Sequence, residues 1–142
     1  MKAIDYLKKI KSIDAMIIAD VEELATLESL ATKTTSVMGG ERVQSSGSQQ
    51  KMADSVAKMV DLRRKIDDEI SELLSLRREA REMLCNLKDA ECITLLHKRY
   101  FLFETWENIA VEMNYTYQWV SDGLHKKSLA QFQKILDKKG KS

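Results

Sequence analysis

The stretch Trp106-Glu-Asn-Ile-Ala-Val-Glu-Met-Asn-Tyr-Thr-Tyr-Gln-Trp-Val120 decides how the chain is read. Thr105 precedes it with a side-chain oxygen able to cap a helix, and Glu107 sets a negative charge beside the positive end of that helix's dipole. Ile109, Ala110 and Met113 then share one face. Ala110 is small enough for a second helix to cross at short range. Asn114 follows where the chain turns sharply, and asparagine is the non-glycine residue that most readily takes the left-handed conformation. Thr116 is placed to cap the next helix, on which Val120 and Leu124, four apart, face inward. Two short helices joined in this way form a helix-turn-helix, whose second helix lies in the major groove of DNA.

The exposed first turns of the second helix supply the candidate DNA-binding residues: Thr116, Tyr117, Gln118, Trp119, Ser121, Asp122, His125, Lys126 and Lys127. Gln118 is suited to adenine. Trp119, beside the inward Val120, is read as touching thymine methyls, the DNA backbone or only the neighbouring helix. From Tyr117 to Ser142 six lysines stand against two aspartates, a net charge of +4 in a chain whose formal charge is +1. A basic helix after the turn is what phosphate contact requires, although a solvated lysine-rich tail has the same charge.

Upstream, Asp89 is placed to cap a shorter support helix carrying Ile93, Leu95, Leu96, Tyr100 and Phe101, with Phe101, Phe103 and Trp106 as its aromatic core. From Lys2 to about Val37 apolar residues from Ile4 to Ala31 recur three and four apart, predicting one long amphipathic helix stopped by Gly39-Gly40. The polar segment that follows, about residues 38–50, reads as a loop. A second long helix is predicted over about Lys51–Leu87. Met52, Met59, Ile66, Leu73, Ala80 and Leu87 recur every seven residues, as do Val56, Arg63, Ile70, Arg77 and Leu84, and together they resemble a coiled-coil seam. Asp54 with Lys58 and Asp61 with Lys65 would pair on its outer surface.

Two matched helices joined by a short connection predict an antiparallel hairpin, and the little core it encloses predicts a homo-oligomer formed through these helices. Arg63 and Arg77 interrupt the seam: either Glu23 or Glu28 meets Arg63 and Asp14 meets Arg77, or both heads reach water at the seam's edge. The expected fold is therefore all-α, a coiled-coil-like hairpin over 1–88 followed by a helix-turn-helix domain over 89–142.

Leu95-Leu-His-Lys-Arg-Tyr-Phe101, Thr105-Trp-Glu-Asn-Ile-Ala110, Met113-Asn-Tyr-Thr116, Val120 and Leu124-His125 resemble region 4 of bacterial sigma factors. With Glu41-Arg-Val-Gln-Ser-Ser46 in the loop, the whole is similar to a group of small phage-encoded regulators, activators of late or packaging genes. That resemblance implies a DNA-binding transcriptional regulator in the cytoplasm of a bacterial host, with double-stranded DNA as partner and RNA polymerase as a second candidate. It assists polymerase instead of replacing a sigma factor, since nothing in the chain resembles a promoter-melting module. The alternatives are a phage packaging component similar to a small terminase subunit, and a polymerase adaptor that does not bind DNA.

Two residue choices depart from the pattern. Gly123 stands where a second inward apolar residue is usual, and Leu124 comes one position late, so the helix bends, packs closely or begins one residue away. Arg99 is the only arginine after Arg81, which leaves the second helix without the side chain that most often reads guanine.

Composition excludes other classes. The chain has 142 residues, 44% of them hydrophobic, no proline and five glycines. It contains no run of roughly 20 apolar residues, so no membrane span is expected, nor a secretory signal. Cys85 and Cys92, set against His97 and His125, match no metal-ligand spacing and read as ordinary buried thiols in a reducing compartment; on one helix they would be about 10 Å apart, too far for a disulfide. No phosphate-binding glycine loop and no nucleophile with its base is present, so neither an enzyme nor a cofactor is expected.

Overall fold

The computed structural model describes residues 1–38 and 46–140, without the side chains of 34–38 and 46–48. The Gly39-Gly40 stop and the loop motif at 41–45 lie outside the described residues. Every element described is helical, as expected: α1 (Ala3–Met38), α2 (Ser46–Leu84), α3 (Ala90–Leu96) running into a π-helical turn π1 (His97–Phe101), α4 (Trp106–Met113), and a second π-helical segment π2 (Trp119–Leu124) running into α5 (His125–Gly140). No described helix is long and apolar enough to cross a membrane.

Helix α2 starts at Ser46, five residues before the expected Lys51. Polar residues can extend an existing helix without apolar contacts, because propagation needs no new nucleus. It ends at Leu84, where Asn86 N–H donates to the Met83 carbonyl at 3.1 Å and Leu87 N–H to that of Leu84 at 3.2 Å. Cys85 therefore lies in a turn and is exposed, while Cys92 on α3 is buried; both are free thiols, and only Cys92 matches the expectation of burial.

The chain forms two compact units, Met1–Ile13 with Leu73–Ser142, and Asp14–Glu72. The boundary expected at residue 88 falls inside the first. Its core explains why: Ala3, Tyr6, Leu7 and Ile10 from the start of α1 and Ala80, Met83, Leu84 and Leu87 from the end of α2 are buried in one cluster with Cys92, Leu95, Leu96, Tyr100, Phe101, Ile109, Ala110, Val120, Leu124 and Phe132. Short helices enclose too little apolar surface alone, so the ends of the long ones complete the core. Tyr6 packs on Phe132 with ring centroids 5.9 Å apart. Gln133 clamps the N-terminus, accepting from Ala3 N–H at 2.6 Å and donating to the Met1 carbonyl at 3.0 Å.

In the second unit α1 and α2 run antiparallel, with Arg63 paired to Glu28 at 2.7 Å and Lys65 to Asp20 at 3.5 Å. Met52, Met59 and Ile66 are at least half-buried, but the other inward series is Ser55, Leu62 and Glu69. The expected partners Val56, Arg63 and Ile70 are exposed. The seam is thus shifted by one residue on that flank, because a heptad read from apolarity alone cannot tell a residue inside the seam from one at its edge. Arg63 takes the Glu28 alternative, with its head still partly in water. In the first unit Arg77 is partly buried: it donates to the Phe101 carbonyl at 3.2 Å and lies over the Phe101 ring at 5.2 Å. The expected outer pairs do not form, since Asp54 accepts from Gln50 at 3.2 Å and Lys65 turns to Asp20.

Glu69 is the costly member of this seam. Both its carboxylate oxygens are buried without a hydrogen-bond partner, beside Asp20. Two ionised carboxylates have only acceptors to offer, whereas a proton on Glu69 supplies a donor. That shared proton with Asp20, and then burial, raise the Glu69 pKa above its ordinary range. An acid whose folded pKa is raised destabilises the fold once ionised, and stability returns as pH falls through the raised value. Glu69→Gln is therefore expected to raise Tm by a few degrees at pH 7, with the gap closing toward the carboxylate range; thermal unfolding followed by circular dichroism at several pH values tests both halves.

Candidate nucleic-acid interface

Helix α4 is capped where the sequence placed the cap, with Thr105 Oγ1 accepting from the Asn108 N–H at 3.2 Å. Asn114 ends it in the left-handed region, at φ 59° and ψ 40°. Tyr115 N–H then donates to the Ala110 carbonyl at 3.0 Å, which closes the turn. Thr116 Oγ1 accepts from the Trp119 N–H at 3.2 Å and starts the following helix. Ile109 and Ala110 on one side of the turn, and Val120 and Leu124 on the other, are buried.

The late arrival of Leu124 has a local explanation. Residues 119–124 form a π-helical segment, whose wider turn holds one extra residue. Leu124 thereby reaches the inward face, and Gly123 stays half-exposed. Gly123 also has a steric role, since a Cβ there would collide with the six-membered ring of Trp119. Of the three expectations for that glycine, close packing holds. Trp119 lies along its own helix over Gly123 and meets Tyr115 edge-on at 6.5 Å.

The nine candidate residues separate into two groups. Thr116, Tyr117, Gln118, Trp119 and Asp122 are exposed along the first turns, with Ser121 half-buried beside them. The three basic candidates are engaged. Lys126 Nζ pairs with Asp122 at 3.0 Å, and Lys127 Nζ lies 3.1 Å from Asp89 and 3.9 Å from Glu91. Asp89 occupies the cap position of α3 but makes no side-chain cap. Its carboxylate instead accepts from Gln131 at 2.8 Å as well as from Lys127, which holds its pKa below the usual range. The same contact raises that of Lys127. Tyr115 OH donates to Glu91 at 2.6 Å.

His125 departs most from expectation. It does not face outward; it packs with its ring 5.9 Å from that of Tyr100 and 4.7 Å from that of Trp106. Burial first, then the positive charges of Arg99 and Lys8, push its pKa down to about 4, with Asp122 opposing. Neutral at pH 7, its Nε2 shares a hydrogen bond with Tyr100 OH at 2.6 Å. Arg99 completes the cluster, stacked over Trp106 at 4.4 Å and donating to the Glu104 carbonyl at 3.0 Å. Trp106 and the one late arginine were visible in the sequence, but nothing local showed that His125 would close the group.

Comparison of the chain with family models, curated proteins and solved structures finds no match.

Gly123→Ala should gain helix propensity of about 1 kcal/mol and lose it again by displacing Trp119. The expected outcome is a small change in Tm with a large shift of the Trp119 indole N–H resonance and little movement of that of Trp106. His125 gives a pH test. Below its ordinary value of 6.5 the unfolded chain takes up a proton that the folded chain refuses until about pH 4, so stability falls as pH falls through that window. After discounting for partial exposure, the loss is about 2 kcal/mol at most. Denaturant unfolding of wild type and His125→Gln should show the acid-side slope reduced in the variant.

Proposed function

We propose that the chain is a DNA-binding transcriptional regulator. Residues 105–127 form its helix-turn-helix, the long helices form a hairpin that self-associates, and the turns from Thr116 to Lys127 dock in the major groove. One observation carries the reading: Thr116, Tyr117, Gln118 and Trp119 stand exposed together at the start of a helix whose opposite face is locked by Val120 and Leu124. A side-chain amide in that position presents the donor and acceptor that match adenine in the major groove. Lys126 and Lys127 supply phosphate contacts, Lys127 exchanging Asp89 for a phosphate oxygen. RNA polymerase as a second partner rests on the likeness to sigma region 4.

The engaged lysines favour a second reading, in which the same surface binds polymerase without DNA. Asp89, Glu91 and Asp122 neutralise it locally, and Tyr115, Tyr117 and Trp119 give it aromatic area of the kind that protein partners bury.

Fluorescence anisotropy on duplexes taken from the DNA flanking the gene separates the two. Lys126→Ala with Lys127→Ala is expected to weaken binding to every sequence by about tenfold or more and to lower the salt slope by about 2. Gln118→Ala is expected to cost about 1–3 kcal/mol at one A·T position and to leave other sequences alike. Absence of binding at low salt removes the DNA reading and leaves the adaptor.

A further inference from the structure

Within the unit Asp14–Glu72 an apolar face is left over after α1 and α2 have packed. Val56, Val60 and Ile70 on α2 are exposed by 48%, 40% and 39%, and Ile18 and Val21 on α1 by 54% and 48%. Scattered apolar residues on a surface need no explanation, but an aligned set does. The set is aligned. Val56, Val60, Arg63, Asp67 and Ile70 follow one another at steps of four, three, four and three, which is one continuous stripe along a helix. The Arg63–Glu28 ion pair shows which flank of α1 lies beside that stripe. Val21 lies seven residues before Glu28 on the same face, and Ile18 lies three before Val21.

The order of residues along the stripe identifies its occupant. Reading outward from Lys65 in either direction gives a charged residue two positions away and a branched aliphatic five away: Arg63 and Val60 on one side, Asp67 and Ile70 on the other. The two charges are opposite. A twofold axis passing the stripe at the level of residue 65 therefore sets Val60 against Ile70 of a second copy and Arg63 against its Asp67, each pair occurring twice. An interface between identical chains must use a patch complementary to itself under such an axis, and this patch meets the condition in its order of apolar residues and in charge. Asp67 is exposed and has no ion-pair partner among the described residues, so its charge is available. Arg63 already meets Glu28, and a guanidinium has donors for both carboxylates.

From this geometry we infer that the stripe Val56–Ile70 of α2, widened by Ile18 and Val21 of α1, is a homodimer interface in which two copies of α2 pack antiparallel. The inference deepens the self-association in the reading above and stands whether or not DNA is bound.

Sedimentation equilibrium of the full-length chain tests it. Wild type is expected to dimerise. Asp67→Arg places like charges opposite each other and is expected to weaken the dimer at least about tenfold, less so at high salt. Because Asp67 is exposed and unpaired, that variant keeps the fold, which circular dichroism verifies. Arg63→Asp with Asp67→Arg and Glu28→Gln in one chain, the last removing the carboxylate that Arg63 otherwise pairs with, restores the pairing in reverse and should restore the dimer. An equimolar mixture of Asp67→Arg chains with Arg63→Asp chains should form a heterodimer although each alone does not. In a Cys85→Ser background, Val60→Cys chains should oxidise to a disulfide with Ile70→Cys chains and not with themselves, which fixes the antiparallel order. A chain that stays monomeric at high micromolar concentration, a dimer indifferent to Asp67→Arg, or a triple variant that fails to recover overturns the proposal. Anisotropy of the same samples on DNA is read separately: loss of DNA binding with the dimer intact removes the DNA reading and leaves this one.

Discussion

Val120, Leu124, Ser128 and Phe132 form a single row, four residues apart and fully buried, and the position of the candidate interface depends on it. A step of four places successive side chains on one face, so the row is the fully buried line of this long helix, flanked by the partly buried Leu129, Ile135 and Leu136. Its third member is small and polar, and its hydroxyl is satisfied by the Leu124 carbonyl at 2.7 Å. A serine there fills a small buried position without leaving its hydroxyl unpaired. The row begins at Val120, one turn after the helix starts. Residues 116–119 precede it and are exposed for that reason.

The same row explains why the ends of the long helices belong to the unit that carries the candidate interface. Phe132 is covered by Tyr6, and the backbone at Met1 and Ala3 is tied to Gln133. The start of α1 therefore covers the second half of the row and leaves the first turns of the helix open. Burial also sets the chemistry beside the row. Tyr100, whose pKa is pushed up to about 12 by burial, keeps its proton, and His125 stays neutral, so the two share one hydrogen bond between Tyr100 OH and His125 Nε2. The pair sits under the open turns as a fixed hydrogen bond.

Much of this was legible in the sequence, for reasons that differ from place to place. Thr105, Asn114 and Thr116 were readable because capping and left-handed turns depend on a residue and its immediate neighbours. The inward pair Val120 and Leu124 was readable as a spacing, but the π-helical segment that reconciles it with Gly123 was not, since it arises from the fit of Trp119 over a missing Cβ. Of the heptads on α2, one series is inward throughout, while the other is displaced by one residue over 55–70 and inward again at Leu84. Val56 and Ile70 are the more apolar choices, yet Ser55 and Glu69 occupy the seam. Which flank faces α1 is decided by the partner helix, and periodicity within one helix carries no record of it. His125 and Lys127 looked like surface charges because their partners, Tyr100, Asp89 and Glu91, come from segments 25 to 38 residues away in sequence.

The paired lysines bear on how such a surface would bind. A lysine free in solvent gains the full attraction of a phosphate, whereas Lys127 must first leave Asp89, and Lys126 must share itself with Asp122. The net electrostatic gain from each is smaller, and the released carboxylates are left facing the polyanion. Under the proposed DNA reading, affinity for an arbitrary duplex would accordingly be low for a helix with this many lysines. Discrimination would be less affected on that reading, because Gln118 and Tyr117 are exposed and would meet base edges and thymine methyls without first leaving an ionic partner. A single copy with weak backbone attraction needs either a second copy or a second protein to hold it on DNA. Joining two such surfaces multiplies their effective concentration without any new contact to the duplex. Were both proposals to hold, low affinity per copy would make occupancy of DNA depend on assembly.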